Sequence, residues 1–271
     1  MRHVKVTFAI ASQETTDMLM AILCDIGFNG FEETENELLA YIGEEEFDKF
    51  KLDAIAVRVG LTYETETIAQ QNWNALWESN FQPVVVEGIC TIRAHFHDIV
   101  ATTPYEIVIT PKMSFGTGHH ATTQLMIMLM SEIDFAGKTV LDFGTGTGVL
   151  AIFAELRGAE RVLAIDNDEW SVENALENVD RNHSTHISVM QGSVEDMSGS
   201  KYDIILANIN RHILLQYMGA MYEGLNNNGS ILMSGLLIAD REIIVDAAAG
   251  VGFQLIRVQE QDNWIGLLLK K

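Results

Sequence analysis

Val140-Leu-Asp-Phe-Gly-Thr-Gly-Thr-Gly148 is the stretch on which the fold turns. An apolar run closes on an acid, breaks into alternating glycines, and passes straight into the apolar segment Val149–Leu156. That grammar predicts a buried strand, a tight turn and a helix. Glycines there let backbone approach a ligand closely, and the first turn of the helix offers unpaired N–H groups. Alone the stretch is ambiguous, since Gly146 to Ala151 also fits the dinucleotide pattern G-x-G-x-x-G/A. A second acid, Asp166, ends the next apolar run, Arg161–Asp166. A carboxylate at that place can accept hydrogens from both hydroxyls of a ribose. Turn and acid together predict a cofactor carrying adenosine.

Working outward, strand and helix patterns alternate. After Thr139–Asp142 and Arg161–Asp166 come a helix over Glu169–Arg181, a strand over His186–Gln191 and a strand over Tyr202–Asn208. A helix over Ile213–Leu225, a strand over Ser230–Leu236 and a helix over Ala239–Ala249 follow. Such alternation builds a parallel sheet with helices on both faces. The last two runs, Phe253–Gln259 and Trp264–Leu269, are separated by a connection too short for a crossover, so they must pair antiparallel. A Rossmann-like seven-stranded sheet closed by an antiparallel hairpin resembles the class I S-adenosylmethionine-dependent methyltransferases. In those enzymes an acid precedes the glycines, as Asp142 does here. Asn208-Ile-Asn210 ends the fourth strand near the point where the strand order reverses and ligands bind. It resembles the Asn/Asp-Pro-Pro-Tyr motif of amino-group methyltransferases without the prolines.

Upstream, Pro111-Lys-Met-Ser-Phe-Gly-Thr-Gly-His-His-Ala-Thr-Thr123 is too rich in glycine for a buried strand. It resembles the Phe-Gly-Thr-Gly-Thr-His-Pro-Thr-Thr signature of the bacterial methyltransferases of ribosomal large-subunit protein eleven, the PrmA family. His119 stands where the signature has Thr, Ala121 where it has Pro, and Asn210 where the family has Leu. The resemblance implies that Thr123, Gly144, Asp166 and Asn208 contact S-adenosylmethionine. The loop bearing Phe115 and Gly116 would fold over its methionine end, with Asp142 and Gly146 beside it. It also implies transfer of methyl groups to lysine amines, and to an N-terminal amine, of a basic ribosomal protein. Asn208 is the expected catalytic residue. His119 and His120 lack carboxylate or cysteine neighbours, so no metal is expected. Met126, Met128 and Met130 read as filling of a buried helix.

The N-terminal residues follow a different pattern. A strand over His3–Ile10, a helix capped by Ser12 and stopped at Gly27, and a hairpin of Phe28–Glu33 with Glu37–Ile42 come first. A helix over Glu44–Leu52 and a strand over Leu61–Thr67 complete a βαββαβ order, the ferredoxin-like arrangement. The division is therefore a small substrate-recognition domain at 1–67, a connecting helix at 68–82 with Trp73, Trp77 and Phe81 on one face, and a methyltransferase domain at 83–271.

The chain of 271 residues carries a net charge of −21, from 17 basic and 38 acidic side chains. Residues 28–48 alone hold eight acids and no Lys or Arg. That balance disfavours a nucleic-acid partner and suits a basic one. Cys24 and Cys90 form no motif, as in a reducing compartment. No signal-like N-terminus or membrane-length apolar run is present, so a cytoplasmic protein is expected. Alternative functions are methylation of RNA or of a small molecule, and nicotinamide-dependent oxidoreduction.

Overall fold

In the computed structural model, which describes residues 3–10, 12–34, 36–68, 78, 80–99, 101–197 and 199–271, the chain divides into two compact units, Met1–Asn80 and Phe81–Lys271. Trp73 and Trp77 of the expected connecting helix lie outside the described residues.

The first unit runs β1 (His3–Ala9), α1 (Gln13–Asp25), β2 (Gly30–Glu33), β3 (Glu37–Gly43), α2 (Lys49–Val59) and β4 (Tyr63–Ile68). Its sheet has the order β2-β3-β1-β4, with every neighbouring pair antiparallel. This is the βαββαβ layout read from the sequence. Val4, Val6 and Phe8 alternate along β1 and bury one face against Leu19, Leu23, Leu52 and Ile55 of the helices. Ser12 caps α1 by accepting the Thr15 amide. The second helix starts five residues later than expected, at Lys49 rather than Glu44. Glu44–Glu46 are spent on a turn closed by the Glu46 amide on the Gly43 carbonyl. The acid that caps the helix is Asp48, which accepts the amides of Phe50 and Lys51, and Gly60 ends it at φ 71°.

The second unit opens with β5 (Val84–Val86), β6 (Cys90–Ala94) and β7 (Tyr105–Ile109), a small sheet of their own. Then come α3 (Ala121–Ser131), β8 (Thr139–Phe143), α4 (Val149–Leu156), β9 (Arg161–Asp166), α5 (Glu169–Arg181) and β10 (Ile187–Gln191). The chain finishes with β11 (Tyr202–Asn208), α6 (Arg211–Gly224), β12 (Leu225–Leu237), α7 (Arg241–Val251), β13 (Gln254–Gln261) and β14 (Trp264–Lys270). Seven strands form one sheet in the order β10-β9-β8-β11-β12-β14-β13. The first five are parallel, and β14 pairs antiparallel with both β12 and β13. Asp262 and Asn263 make the closing turn, both at positive φ, as a two-residue hairpin requires. One face buries α3 and α4, including Met126, Met128 and Met130, and the other buries α6 and α7. No helix among the described residues is long and apolar enough to cross a membrane.

The free edge of β7 is covered by side chains rather than by another strand. Asn174 and Asn178 of α5 and Asn182, the residue that caps its C-terminus, are spaced at i, i+4 and i+8. Asn182 accepts the Val108 amide and donates to its carbonyl, at 2.9 and 2.7 Å. Asn178 accepts the Thr110 amide at 2.8 Å, and Asn174 donates to the Thr110 carbonyl at 3.0 Å. Beside them Glu177 accepts the Thr110 hydroxyl and pairs with Lys112 at 2.7 Å. These bonds, led by those from Lys112 and Thr110, pull the Glu177 carboxyl down to about 2. The segment entering the glycine-rich loop at Pro111 is thus anchored before the loop begins.

Candidate active site

The sheet order reverses between β8 and β11, and the carboxyl ends of these strands open a cavity of about 630 Å³. That volume falls in the range of cofactor clefts, roughly 300–1,000 Å³. Gly144, Gly146 and Asp166 form one wall, Asn208, Ile209 and Asn210 another. Phe115, His120 and Trp264 stand together at a third. Thr122, Gly192, Ser193, Asn167, His212 and Tyr217 are also among the lining residues.

Two glycines here are fixed by their neighbours. A Cβ on Gly144 would lie 2.3 Å from the Ile209 side chain, and one on Gly146 2.3 Å from the Phe115 carbonyl. Both residues also have positive φ, 77° and 54°. The Thr147 amide donates to the Phe115 carbonyl at 2.9 Å, and its hydroxyl to the Gly116 carbonyl at 2.8 Å. Asn178 reaches the same turn from α5, donating to the Thr147 carbonyl at 2.8 Å. The glycine turn and the loop at 115–120 are therefore one assembly.

Asp166 meets that assembly from β9. One carboxylate oxygen accepts the Gly146 amide at 2.9 Å and the other the Asp168 amide at 3.1 Å. Each oxygen keeps a lone pair for a further donor. Asn208 is half-buried at the end of β11, and its side-chain oxygen is buried without a hydrogen-bond partner. An unpaired buried acceptor beside a cavity can take a donor from outside the chain.

Of the residues expected from sequence, Phe115, Gly144, Gly146, Asp166 and Asn208 line the cavity, whereas Gly116, Thr123 and Asp142 do not. Gly116 is turned into the bond with Thr147. Thr123 is buried within α3 at 1% exposure, and the neighbouring Thr122 lines the wall instead. Asp142 is also 1% exposed. One of its oxygens accepts the Thr145 hydroxyl at 2.6 Å and the Ala151 amide at 3.1 Å, tying the turn to α4 from beneath. Burial raises its carboxyl to about 7 against the pull of those two bonds, with Asp166 adding to the rise.

Trp264 and Tyr217 are site residues the sequence reading passed over. A tryptophan opening the last strand of a closing hairpin is brought by topology beside β12, and no local motif announces it. The two histidines separate. His120 caps α3, its Nδ1 accepting the Thr122 amide at 3.3 Å, and its ring lies 5.2 Å from Phe115 and 4.7 Å from Trp264. His119 turns away onto Phe81, with ring centroids 4.6 Å apart. Among the described residues no three His, Cys, Asp or Glu side chains converge as metal ligands.

Residues 8–271 match the family model described as ribosomal protein L11 methyltransferase (PrmA). A protein of Phocaeicola vulgatus named ribosomal protein L11 methyltransferase is 39% identical, over 97% of this chain and 97% of its own. One of the same name from Chlorobaculum parvum is 35% identical over 99% of this chain and 96% of its own. The solved structure of a ribosomal protein L11 methylase from Lactobacillus delbrueckii subsp. bulgaricus is similar at a TM-score of 0.66 and 30% identity. It covers 70% of this chain and 98% of that one.

Proposed function

The chain belongs to the ribosomal protein L11 methyltransferase family, and from that premise we propose that it methylates lysine amines of the basic ribosomal protein L11 in the cavity between Gly144 and Asn208. S-adenosylmethionine, when bound, supplies a methyl group on a cationic sulfur. Gly144 and Gly146 would receive it where a Cβ has no room, and Asp166 has lone pairs left for the ribose hydroxyls. Phe115, at 51% exposure, would cover its methionine end. A nicotinamide enzyme would continue the sheet into a second mononucleotide half, and this sheet ends in the hairpin of β13 and β14.

The observation that carries the proposal is the unpartnered oxygen of Asn208. A lysine amine has an ordinary pKa near about 10.4 and attacks only once neutral. The oxygen of Asn208 would accept one of its hydrogens and aim the nitrogen lone pair along the transfer axis. The ring of His120 does not serve as a base, because the nitrogen free to accept is occupied by the Thr122 amide. Phe115, His120 and Trp264 would shed water from the amine, and desolvation favours its neutral form. In this reading the acid-rich first unit recognises the substrate.

The test is incubation of the purified protein with methyl-labelled S-adenosylmethionine and recombinant L11. Label is expected on L11 lysines and to fall with Asn208→Ala. Tight binding of S-adenosylhomocysteine with no label on L11 would sink the substrate assignment.

A further inference from the structure

His119 and Ala121 are the residues at which this chain departs from the loop signature it resembles, and of the two His119 carries side-chain hydrogen bonds. Its Nδ1 faces the Thr117 hydroxyl at 3.2 Å, and its Nε2 lies 3.0 Å from the Gln82 carbonyl. A carbonyl only accepts, so Nε2 carries the hydrogen and donates. The Phe81 ring packs edge-on against the same imidazole. Phe81 is itself pinned, because its carbonyl accepts from Nε2 of His97 at 2.6 Å while Nδ1 of His97 accepts the Ala94 amide. Residues 81 and 82 are where the second unit begins.

The loop at 115–120 therefore has anchors on opposite sides. Thr147 holds Phe115 and Gly116 to the glycine turn. Gln124 donates to the Gly118 carbonyl at 3.0 Å from α3. Only His119 among these ties the loop to the segment leading into β5. We propose that His119 is a positioning residue, which clasps the loop to Phe81–Gln82 and so sets how Phe115 and His120 stand over the cavity. This rests on the reading that Phe115 covers the cofactor.

The bond can be separated from the shape of the side chain. Glutamine places an amide N–H near the position of Nε2, whereas asparagine places it near Nδ1 and cannot reach Gln82. His119 is exposed, so neither change disturbs the core. Binding of S-adenosylhomocysteine by calorimetry should weaken about fivefold in His119→Asn, the worth of one net hydrogen bond. KM for S-adenosylmethionine should rise in step, with kcat at saturation changing less than about twofold. His119→Gln should bind as wild type does. Wild-type affinity in His119→Asn, or equal weakening in both variants, would overturn the clasp. Phe115→Ala locates the failure. If that variant binds weakly while His119→Asn is normal, only the clasp is wrong, and if it binds normally the reading of the loop falls with it.

Discussion

Replacing Asp142 with asparagine should flatten the pH dependence of stability in the ligand-free protein. The side chain is 1% exposed, and only one of its oxygens is hydrogen-bonded. Burial lifts its pKa from the ordinary 3.8 to about 7. A carboxyl raised on folding binds its proton more tightly in the folded state. Its stabilising contribution is full below the unfolded value and disappears as pH rises through 7. Between pH 6 and pH 8 the unfolded side chain stays ionised, while the folded one passes from roughly nine-tenths to one-tenth protonated. Integrated over that window, the loss is about 1.4 kcal/mol. Asparagine keeps an acceptor for Thr145 and Ala151 and does not titrate. Hydrogen exchange of the amides in 139–156, corrected for intrinsic rate, reads the opening free energy of this unit alone. Contributions from every other group cancel in the difference between wild type and variant. Wild type should lose about 1.4 kcal/mol more than Asp142→Asn. Equal slopes would mean that the carboxyl is ionised throughout, and the argument from burial would be refuted.

Three further outcomes follow from the same geometry. Asn208→Ala should lower single-turnover rate about a hundredfold at saturating cofactor, the cost of misplacing an attacking atom by about 1 Å, and wild-type rates would reduce Asn208 to a strand-end residue. Gly146→Ala should weaken S-adenosylhomocysteine binding at least about tenfold, because the new methyl meets the Phe115 carbonyl at 2.3 Å; unchanged affinity by calorimetry would show that the loop is not seated there. Asn178→Ala leaves the Thr110 amide and the Thr147 carbonyl unpaired and should cost about 2–4 kcal/mol in urea unfolding, with a loss below about 1 kcal/mol counting against the asparagine stripe as the cover of β7.

The sheet was legible because each signal is local. The glycines after β8, the acid ending β9 and the short turn before β14 each restrict backbone on their own, and together they leave one topology. The loop at 115–120 was legible as a signature of the family to which the chain belongs. What stayed hidden was set by distance. Asp142 looks like a ligand because it abuts the glycines, yet a strand alternates its faces, and this one turns its acid beneath the turn rather than into the cavity. Thr123 and Thr122 are adjacent in sequence, and only the phase of α3 decides which meets the wall. Acids at 44–46 read as a first helical turn, whereas the residue that caps the second helix is Asp48. The asparagines of α5 carried a signal that was missed, since polar amides at i, i+4 and i+8 in a helix are poor helix formers with a partner to find.

The placement of these residues separates affinity from turnover. Three of the groups that hold the glycine turn act from outside the cavity: Asp142 from below, Asn178 from α5, and the Gly116 carbonyl from above through Thr147. None of these touches the wall formed by Asn208, Ile209 and Asn210. That wall is fixed independently, because Gly235 leaves no room for a Cβ beside the Ile209 carbonyl, at 2.3 Å, and Arg211 pairs with Asp240 just beyond it. The walls meet where Ile209 packs on Gly144. Substitutions in the turn and loop should therefore move cofactor affinity with little effect on saturated rate, and those in 208–211 should do the reverse. Ile209→Ala is the exception that tests the division. It removes the Cγ2 methyl that meets Gly144, so it should move both quantities together. A change in only one of them would mean that the walls are held apart by something other than that contact.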